Sequence, residues 1–284
     1  MYKILKKEKL TKDIDRFEID APLIARKAAP GQFVVIRVCE QGERIPLTIA
    51  DFSHNRQAIT LVSMRVGKTT DMLSKLNSGD SLASVVGPLG RPSEIKKFGN
   101  VVCVGGGVGI APIMPIARAL KEAGNYVVSI IGARNSEGLI LEKQMEKISD
   151  QLHICTDDGS RGFKGFVSEF LNQYIQQKKL DINRVVAIGP APMMAAVSEV
   201  TRPYGIKTIV SLNSIMVDGT GMCGACRVEV GNQTRFVCVD GPEFDGHEVN
   251  FGLLFARQKI YREEEKASQD SYRKECGRKT CSKT

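Results

Sequence analysis

The sequence predicts a protein of class β plus α/β, in which an antiparallel barrel precedes a doubly wound parallel sheet and a small cysteine-containing loop. Three observations support this prediction. Short β-rich runs separated by turn residues occupy residues 1–96. Strand and helix patterns alternate over residues 97–213, which is typical of a parallel sheet with helices on both faces. Three cysteines and an aspartate then fall within residues 214–250, and a charged tail occupies residues 251–284.

Length and composition indicate a two-domain globular protein without nucleic-acid or membrane partners. A chain of 284 residues, 42% hydrophobic and 25% charged, fits two domains of ordinary composition. Its formal net charge of +8 comes from scattered lysines and arginines, without an aromatic–basic recognition motif. No apolar run approaches the roughly 20 residues that span a bilayer, and the chain does not begin with the apolar segment of a secretory signal. The predicted location is the cytoplasm.

Five strands and one helix are predicted in the first domain. The strands cover residues 2–7, 17–20, 32–38, 58–66 and 81–86, where β-branched or alternating residues lie between turn residues. A helix is predicted over residues 69–76, because Met72, Leu73 and Leu76 then lie on one face. Many short strands with little helix favour a small antiparallel barrel.

The second domain is predicted as strands alternating with helices. The strands cover residues 101–104, 126–131, 152–156, 184–188 and 207–212, and the helices cover residues 112–123, 139–148, 165–177 and 192–202. Ligands of such parallel sheets bind at the carboxyl ends of the strands. The polar and glycine-rich segments that follow these strands are therefore candidate binding residues.

Beyond the second domain, a hairpin is predicted from residues 226–230 and 234–238, with its turn at Gly231 and Asn232. From residue 258 onward the chain is strongly charged and has little apolar periodicity. An exposed helix and a disordered tail both remain open for this segment.

The eight cysteines are not arranged as a disulfide framework. Three of them share one short motif. Cys39, Cys103 and Cys155 lie in apolar, strand-like runs and are predicted to be buried small hydrophobic residues. Cys276 and Cys281 lie in the polar tail and are interpreted as free thiols.

The cysteine motif has the spacing of an iron–sulfur site. Asp218-x4-Cys223-x2-Cys226-x11-Cys238 matches the C-x4-C-x2-C…C ligand pattern of plant-type [2Fe–2S] proteins, with an aspartate in the first position. Glycines within the motif suit a loop that wraps closely around a cluster. Asp218 could instead cap the loop, with Thr220 or a residue of a partner subunit completing the site. Zinc is less favoured, because a zinc ribbon would need a second Cys-x2-Cys pair.

A glycine-rich turn follows the first strand of the second domain. Gly105–Gly109 lies before a helix that opens near Pro112, so its N–H groups could hold a pyrophosphate. It departs from the dinucleotide fingerprint, since Ile110 replaces the third glycine. Alone, such a turn could simply be a tight connection. Residues 132–134, 157–159 and 189–194 repeat the pattern at other strand ends, and together they predict a nucleotide cleft.

Two stretches of the barrel carry candidate flavin contacts. They are residues 44–48, Arg-Ile-Pro-Leu-Thr, and residues 67–70, Gly-Lys-Thr-Thr. A flavin needs hydrogen-bond donors to its ring and its pyrophosphate, and threonine hydroxyls and open backbone amides supply them. Taken alone, either stretch would be interpreted as a strand edge or a turn.

In this order, the motifs resemble the ferredoxin–NADP reductase superfamily over residues 1–245. Within it, the chain is similar to electron-transfer subunits that carry a carboxyl-terminal [2Fe–2S] loop. These are the small (alpha) subunit of NADH-dependent reduced ferredoxin:NADP oxidoreductase, the sulfide dehydrogenase beta subunit and the dihydroorotate dehydrogenase electron-transfer subunit. The resemblance implies that the barrel binds FAD and that the second domain binds NAD(H), with NADP(H) less favoured. Arg134 leaves that preference open, because it could meet a 2′-phosphate.

The resemblance also implies site residues, although Arg44 stands one position away from the family's usual arginine. The implied FAD contacts are Arg44, Pro46, Leu47, Thr48, Met64, Val66, Gly67, Thr69 and Thr70. The implied nucleotide contacts are Gly106, Gly107, Gly109, Pro112, Arg134, Asp157, Gly189 and Met193. The implied cluster ligands are Asp218, Cys223, Cys226 and Cys238. No side chain is expected to act as a general acid or base.

The function implied is an NAD(P)H oxidoreductase subunit in a heterodimer or larger complex. It would exchange hydride between NADH and FAD and pass electrons through the cluster to a larger flavin and iron–sulfur subunit, with ferredoxin reached through the complex. Dihydroorotate-type subunits offer four cysteines, so Asp218 favours the sulfide dehydrogenase and electron-bifurcating branch. The alternatives are an electron-transfer subunit in pyrimidine synthesis and a non-catalytic metal-binding scaffold.

Overall fold

The computed structural model describes residues 2–53, 55, 57–177 and 180–281, and its side chains as far as residue 274. The first domain is built on one antiparallel sheet with the order β6-β1-β2-β5-β4-β3-β7. Its strands are β1 Tyr2–Lys9, β2 Ile14–Asp20, β3 Phe33–Arg37, β4 Arg44–Ser53, β5 Ala58–Met64, β6 Ser81–Leu82 and β7 Ser84–Leu89. The sheet curls into a barrel, because inward side chains from all its strands share one core. Helices α1 Pro22–Ala25 and α2 Lys68–Lys75 pack on it.

Strand β4 is the main element that the sequence did not predict. Pro46 argues against a central strand, because proline has no N–H to donate. In the structure Pro46 pairs only with Val35 of β3, and the pairing of β4 with β5 begins further along, at Ile49. The predicted strand at 81–86 is in fact two strands, of which β6 pairs with β1 and β7 pairs with β3. The remaining predicted strands and the helix at 69–76 are confirmed.

The second sheet is parallel except at one edge. Its strands are β8 Asn100–Gly106, β9 Tyr126–Ala133, β10 Gln151–Thr156, β11 Phe163–Lys164, β12 Arg184–Ile188 and β13 Thr208–Ser211; the hairpin β14 Arg227–Val230 and β15 Gln233–Phe236 follows, and then the edge strand β16 Glu243–Asp245. The order is β11-β10-β9-β8-β12-β13-β16, with β16 antiparallel to β13. The predicted parallel strands and the predicted hairpin are confirmed, whereas β11 and β16 were not predicted.

Helices cover both faces of this sheet, as a doubly wound fold requires. They are α3 Ile110–Glu122, α4 Glu142–Ile148, α5 Val167–Gln176 and α6 Ala191–Thr201. Alternate residues of β8 face opposite sides: Val101 and Cys103 share a core with α3, whereas Val102 and Val104 share a core with α5 and α6. The predicted helices and the doubly wound arrangement are confirmed.

The barrel and the parallel sheet are joined by an apolar contact. Helix α3 packs against β4, and Ala50 and Val62 of the barrel belong to the same buried cluster as α3. The Nη2 atom of Arg118 lies 2.7 Å from Oδ1 of Asp51 across this contact. The two domains therefore meet along β4, the strand that carries residues 44–48.

The segment after β13 packs back onto the barrel. We call residues 213–226 the cluster loop. A Cβ added at Gly219 would lie 2.8 Å from Cγ2 of Val35 and 3.0 Å from Cδ1 of Leu89. The Gly219 backbone, at φ +83°, therefore touches β3 and β7 directly. Phe33 and Val35 share a core with Cys226 and Cys238.

The charged tail is helical, which confirms one of the two alternatives left open by the sequence. After the short helix α7 Val237–Asp240 come α8 Phe251–Arg257 and α9 Arg262–Cys281. Helix α8 packs on α6 and β14, whereas α9 returns to the barrel and contacts α2. There, the Nζ atom of Lys75 donates to the hydroxyl of Tyr272 at 2.9 Å. Within the described part of the chain, no helix is long and apolar enough to cross a membrane.

Two of the three cysteines that were predicted to be buried are buried. Cys103 and Cys155 lie in the core of the parallel sheet, where burial raises the pKa of both thiols to about 12. The prediction for Cys39 was wrong, because β3 ends at Arg37 and Cys39 lies exposed in the turn that follows. The side chains of Cys276 and Cys281 lie outside the described residues.

Candidate functional site

The cluster loop has no regular secondary structure and turns through left-handed glycines. Gly219, Gly221 and Gly224 have φ values of +83°, +88° and +67°. A side chain at Gly221 would also come within 3.1 Å of Cγ1 of Val239. Non-glycine residues rarely adopt this backbone conformation, so the loop needs glycine to fold as tightly as it does.

The four predicted ligands form one buried pair and one accessible pair. Cys226 and Cys238 are each 2% exposed, and their Sγ atoms lie 3.2 Å apart. Burial, together with the neighbouring Cys226 thiol, raises the pKa of Cys238 to about 12. Cys223 is exposed, and backbone N–H groups of the loop, that of Ala225 foremost, hold its thiol pKa below the ordinary value. Asp218 is partly exposed, and its backbone N–H is another of the groups that lower the pKa of Cys223.

Asp218 organises the loop through its carboxylate. Its Oδ2 atom accepts hydrogen bonds from the Thr220 hydroxyl, from the Thr220 N–H at 3.0 Å and from the Met222 N–H at 3.3 Å. These bonds, with that of the Thr220 hydroxyl the largest, hold the pKa of Asp218 below its usual range, and the charge of Arg44 adds to the effect. The contact with Thr220 is the capping role named as the alternative above. It keeps the carboxylate ionised, the form in which it can also bind a metal.

The donor set fits a [2Fe–2S] cluster better than a single metal ion. Each iron of such a cluster takes two protein ligands, so two separate pairs of donors are what it needs. The separation of the Cys226 and Cys238 sulfurs is close to the roughly 3.8 Å expected for two thiolates at ~2.3 Å from one tetrahedral ion. Among the residues described, no three or more His, Cys, Asp or Glu side chains gather as they would around one metal ion.

Residues 44–48 lie along β4, on the side of the barrel that faces the cluster loop. Pro46 pairs with Val35, against which Gly219 packs, and Thr48 pairs with Phe33. The side chains of Pro46, Leu47 and Thr48 are partly exposed, and Arg44 is exposed. Arg44, Pro46 and Thr48 therefore share one face of β4, next to the cluster loop, whereas Leu47 packs against the barrel core on the other face.

Residues 67–70 form the amino terminus of α2. The Thr70 hydroxyl accepts from the N–H groups of Val66 and Gly67, each at 3.0 Å, and the Thr69 hydroxyl donates to Oε2 of Glu43 at 2.6 Å. Both hydroxyls are thus occupied by protein partners. The N–H groups of the first helical turn have no intrahelical acceptor, so they are the donors that suit a pyrophosphate.

The space in front of this helix end is open. A Cβ added at Gly67 would meet no atom within 4 Å. Met64 and Val66 present exposed apolar side chains beside it, with 39% and 66% of their surface accessible. An apolar flank next to a row of amide donors suits a nucleotide-containing cofactor.

We call residues 105–109 the nucleotide turn. It lies at the carboxyl end of β8, beside Gly189 at the end of the neighbouring β12. Sheet order reverses between these two strands, which is where doubly wound sheets bind ligands. A Cβ added at Gly106 would lie 2.3 Å from the nearest atom of Met193, and a Cβ added at Gly189 would lie 2.7 Å from the nearest atom of Met193. The Met193 side chain therefore needs both glycines to pack across the two strand ends.

Only one glycine of the nucleotide turn faces open space. A Cβ at Gly109 would lie 2.3 Å from the carbonyl oxygen of Ile188, so this glycine allows the helix to approach β12 closely. At Gly107, which has φ +56°, a Cβ would meet nothing within 4 Å. Packing thus explains Gly106 and Gly109, whereas Gly107 is the position that a ligand could approach.

The remaining predicted nucleotide contacts lie at the same edge of the sheet. Arg134 and Asp157 are exposed just beyond the ends of β9 and β10. The Asp158 N–H donates to the Arg134 carbonyl at 3.2 Å, which ties the two segments together. Pro112 is partly exposed in the first turn of α3. The fold therefore brings together all eight residues predicted for this cleft.

Two residues outside the predicted set hold the cluster loop. The Nη2 atom of Arg257, at the end of α8, donates to the Ala225 carbonyl at 3.1 Å. The Nε2 atom of Gln258 donates to the Asn213 carbonyl at 2.9 Å and to its side-chain oxygen at 3.0 Å. No local sequence signal could have found these contacts, since they join segments that are far apart in the chain.

Comparison with known proteins agrees with this architecture. Residues 213–250 match the model of the iron–sulfur cluster binding domain of dihydroorotate dehydrogenase B, and residues 103–199 match the oxidoreductase NAD-binding domain. The dihydroorotate dehydrogenase B (NAD(+)) electron transfer subunit homolog of Thermotoga maritima is 50% identical over 274 residues, 96% of each chain. The electron transfer subunit of Desulforamulus reducens is 33% identical over 240 residues, 82% of this chain and 90% of that one.

The chain belongs to the family of dihydroorotate dehydrogenase B electron transfer subunits and their homologues. It is therefore a subunit of an oxidoreductase, with an NAD-binding domain and an iron–sulfur cluster-binding domain, and its family implies a catalytic partner subunit. A solved structure of NADH-dependent reduced ferredoxin-NADP oxidoreductase, studied for flavin-based electron bifurcation, matches with a TM-score of 0.91 and 48% identity over 96% of this chain and 98% of that one. The predicted family and fold class are confirmed.

More distant structures share the fold alone. Phthalate dioxygenase reductase, described as transferring electrons from pyridine nucleotides to [2Fe–2S], matches with a TM-score of 0.57 at 20% identity, over 81% of this chain and 85% of that one. This match supports the arrangement of a barrel followed by a nucleotide sheet.

Proposed function

We propose that this chain is the FAD and [2Fe–2S] subunit of an NADH-dependent reduced ferredoxin:NADP oxidoreductase or of a sulfide dehydrogenase. One observation carries the proposal: the cluster loop packs on Val35 of β3, and Val35 pairs with Pro46 of β4, one of the proposed flavin contacts. A barrel-bound flavin and a loop-bound cluster would then be neighbours in one chain. The high similarity to a solved bifurcating oxidoreductase supports this choice of complex.

Three parts of the chain would bind the three redox groups. We assign residues 1–96 to FAD, residues 97–213 to NAD(H) and residues 214–250 to the cluster, with residues 251–284 as the tail. When bound, nicotinamide and FAD exchange a hydride and a [2Fe–2S] cluster carries single electrons. The first-turn amides of α2 would hold the FAD pyrophosphate, and Pro46, Leu47 and Thr48 would lie along its ring system.

At the second sheet, Gly107 and the start of α3 would receive the nucleotide pyrophosphate, and Gly189 and Met193 would border the nicotinamide. No side chain of the chain needs to donate or accept a proton, because its contribution is to bind the groups and orient them. Arg134, exposed just beyond the end of β9, would be able to pair with a 2′-phosphate, so NADP(H) is kept as the alternative to the NAD(H) that we propose.

Asp218, Cys223, Cys226 and Cys238 would bind the cluster. Replacing Asp218 with cysteine is expected to keep the cluster and to lower its reduction potential, because thiolate is a softer and more electron-donating ligand than carboxylate. A redox titration followed by electron paramagnetic resonance measures this. An unchanged potential in Asp218→Cys would count against ligation by Asp218.

The proposed partner is a larger subunit that carries a second flavin and further clusters, with ferredoxin as a substrate of the complex. A second candidate, electron transfer from dihydroorotate oxidation, is favoured by the family model that matches the cluster loop. The cytoplasmic location expected from the sequence stays a prediction.

Purification of the native complex tests the proposal. We expect flavin and [2Fe–2S] absorption in the isolated complex, together with NADH- and ferredoxin-dependent reduction of NADP⁺. Dihydroorotate-dependent reduction of NAD⁺ instead would establish the second candidate. A complex that contains this chain but shows neither flavin nor cluster absorption would contradict both.

A further inference from the structure

The last residue of helix α8, Arg257, places a positive charge next to the cluster loop. Leu254 anchors α8 in the core, and Arg257 at the end of the helix is half-buried. Its guanidinium donates to the Ala225 carbonyl at 3.1 Å. Ala225 lies between Cys223 and Cys226, two of the proposed cluster ligands. The charge of Arg257 is therefore held next to them by a specific hydrogen bond rather than by a mobile surface side chain.

The next residue fixes the other end of the loop. Gln258 donates to the carbonyl and to the side-chain oxygen of Asn213, at 2.9 Å and 3.0 Å. Asn213 begins the cluster loop, twelve residues before Ala225. The consecutive side chains of Arg257 and Gln258, at the end of α8, therefore hold both ends of a loop that has no regular secondary structure. The Gln258 side chain holds the loop without carrying a charge, so Gln258 is a matched comparison for Arg257.

Two further arginines border the loop, but they are held more loosely. Arg227 is exposed, and its Nη1 atom lies 3.4 Å from the Gly224 carbonyl. Arg44 is exposed at the start of β4, on the same face of the sheet as Pro46 and Val35. Charges in water are strongly screened, whereas a half-buried charge acts through a medium of lower dielectric. Of these three arginines, Arg257 is the least exposed, so its charge is the least screened by water.

A [2Fe–2S] cluster with four anionic protein ligands is negatively charged, and it gains one more negative charge when one iron accepts an electron. A nearby fixed cation stabilises the reduced form more than the oxidised form. Net charge and hydrogen bonding around the ligands are levers by which proteins set cluster potentials. Arg257 supplies the charge, and its hydrogen bond to the Ala225 carbonyl fixes the position of that charge.

We propose that Arg257 is a positioning residue for the cluster loop and that it raises the reduction potential of the cluster which the loop binds. The inference rests on the proposed function, because it needs a cluster in this loop. It assigns a role in electron transfer to the carboxyl-terminal helices, which lie outside the residues matched by the cluster-binding family model.

Four variants of the full chain, purified in the native complex, test the proposal by redox titration followed by electron paramagnetic resonance. Arg257→Gln should retain the cluster and titrate at a lower potential than the wild type. Arg257→Lys keeps the charge without the planar fork, so its potential should lie between the two. Gln258→Ala loosens the loop without removing a charge, and Arg262→Gln removes an exposed arginine of α9; both should titrate close to the wild type.

The outcomes separate the possible roles. An Arg257→Gln cluster with the wild-type potential would overturn the proposal, and so would equal shifts in Arg257→Gln and Gln258→Ala, since anchoring alone would then explain the effect. If Arg257→Gln binds no cluster, Arg257→Lys decides: a potential close to the wild type supports the role of the charge, and a potential far below it, although the charge is kept, contradicts that role. A wild-type complex without a cluster in this chain would contradict the proposed function itself.

Discussion

The cluster loop and the nucleotide turn both depend on glycine, but their surroundings fix them in different ways. In the nucleotide turn, Gly106 and Gly109 pack against residues of the neighbouring strand and the following helix, all within one sheet. The cluster loop rests on the barrel through Gly219, and it is gripped by Arg257 and Gln258 from the tail. The nucleotide turn is thus fixed by contacts within the second sheet and its helices, whereas the cluster loop is fixed by elements that are distant in sequence.

This difference predicts how each region fails. A change in the nucleotide turn should disturb folding, because the turn is part of the sheet. A substitution in the cluster loop should abolish cluster binding while leaving the two sheets folded, because neither sheet depends on the loop for its strand pairing. Substitutions in the two regions test this contrast, and two further substitutions, at the junction of the two sheets and in α9, give smaller expected effects.

The largest effect is expected from Cys226→Ser. This residue belongs to the buried thiol pair, and serine is a poor ligand for iron. We expect the iron content of this chain and its [2Fe–2S] absorption to fall to near zero, with FAD content unchanged. Exposed Cys39, which is not among the proposed ligands, gives the matched control Cys39→Ser. A Cys226→Ser chain with full iron content would remove Cys226 from the ligand set.

The next largest effect is expected from Gly109→Ala. At φ −63° alanine has no backbone strain, but its Cβ would lie 2.3 Å from the Ile188 carbonyl oxygen. We expect the free energy of unfolding to fall by about 1–3 kcal/mol. Denaturant unfolding measures it.

Gly107→Ala is the matched comparison, because its Cβ would meet no protein atom. Its left-handed backbone should cost roughly 1–2 kcal/mol, and its main effect should be a higher KM for the nucleotide. If Gly109→Ala were as stable as the wild type, the turn would not be fixed by this close approach.

A third substitution tests the junction between the barrel and the second sheet. Glu243 of β16 accepts a hydrogen bond from Ser93, in the segment that links the barrel to the second sheet. Burial raises the pKa of Glu243 above its usual value. A raised carboxyl pKa favours the folded state at low pH, and this contribution is lost as pH rises through the folded-state pKa. Glu243→Gln keeps an acceptor for Ser93 without the charge.

We therefore expect Glu243→Gln to increase thermal stability, and to do so more at about pH 8 than at about pH 4. Thermal unfolding of both proteins across this range measures the difference. A stabilisation that did not change with pH would show that the pKa of Glu243 is the same in the folded and the unfolded protein.

The smallest effect is expected at the contact between α9 and α2. Lys75 donates to the Tyr272 hydroxyl and lies 4.3 Å from the centre of its ring, at an exposed site. Tyr272→Ala should lower the free energy of unfolding by less than about 1 kcal/mol. It should leave iron content and nucleotide affinity unchanged, as thermal unfolding and binding assays would show. A loss of FAD in this variant would mean that α9 supports the flavin site through α2.

The sequence predicted the parts of the fold whose pattern is local. Strand β12 begins and ends where its apolar run does, at Arg184 and Ile188, and the parallel sheet followed from repeated alternation of strands and helices. Strand β4 was missed because Pro46 looks incompatible with a strand until its single pairing is known. Edge strand β16 is only three residues long, and its pairing with β13 stabilises it more than its own pattern does.

The candidate site also has features that a local sequence pattern predicts and features that only the tertiary structure reveals. Ligand spacing alone predicted the cysteines and Asp218 as ligands, because iron–sulfur ligands recur at fixed intervals. The contact of Gly219 with Val35 and the grip of Arg257 join residues that are far apart in sequence, so no local pattern could reveal them. Spacing shows which residues could bind a cluster, and tertiary structure shows what surrounds it.

The central claim is that electrons leave the flavin of this chain through the cluster beside it. Rapid mixing of the native complex with NADH, for the wild type and for Cys226→Ser, tests that claim most directly. We predict that the flavin of the variant is still reduced by NADH at close to the wild-type rate, whereas reduction of the complex's final acceptor is abolished. Acceptor reduction at the wild-type rate, in a variant whose resonance spectrum shows that this cluster is missing, would contradict the account.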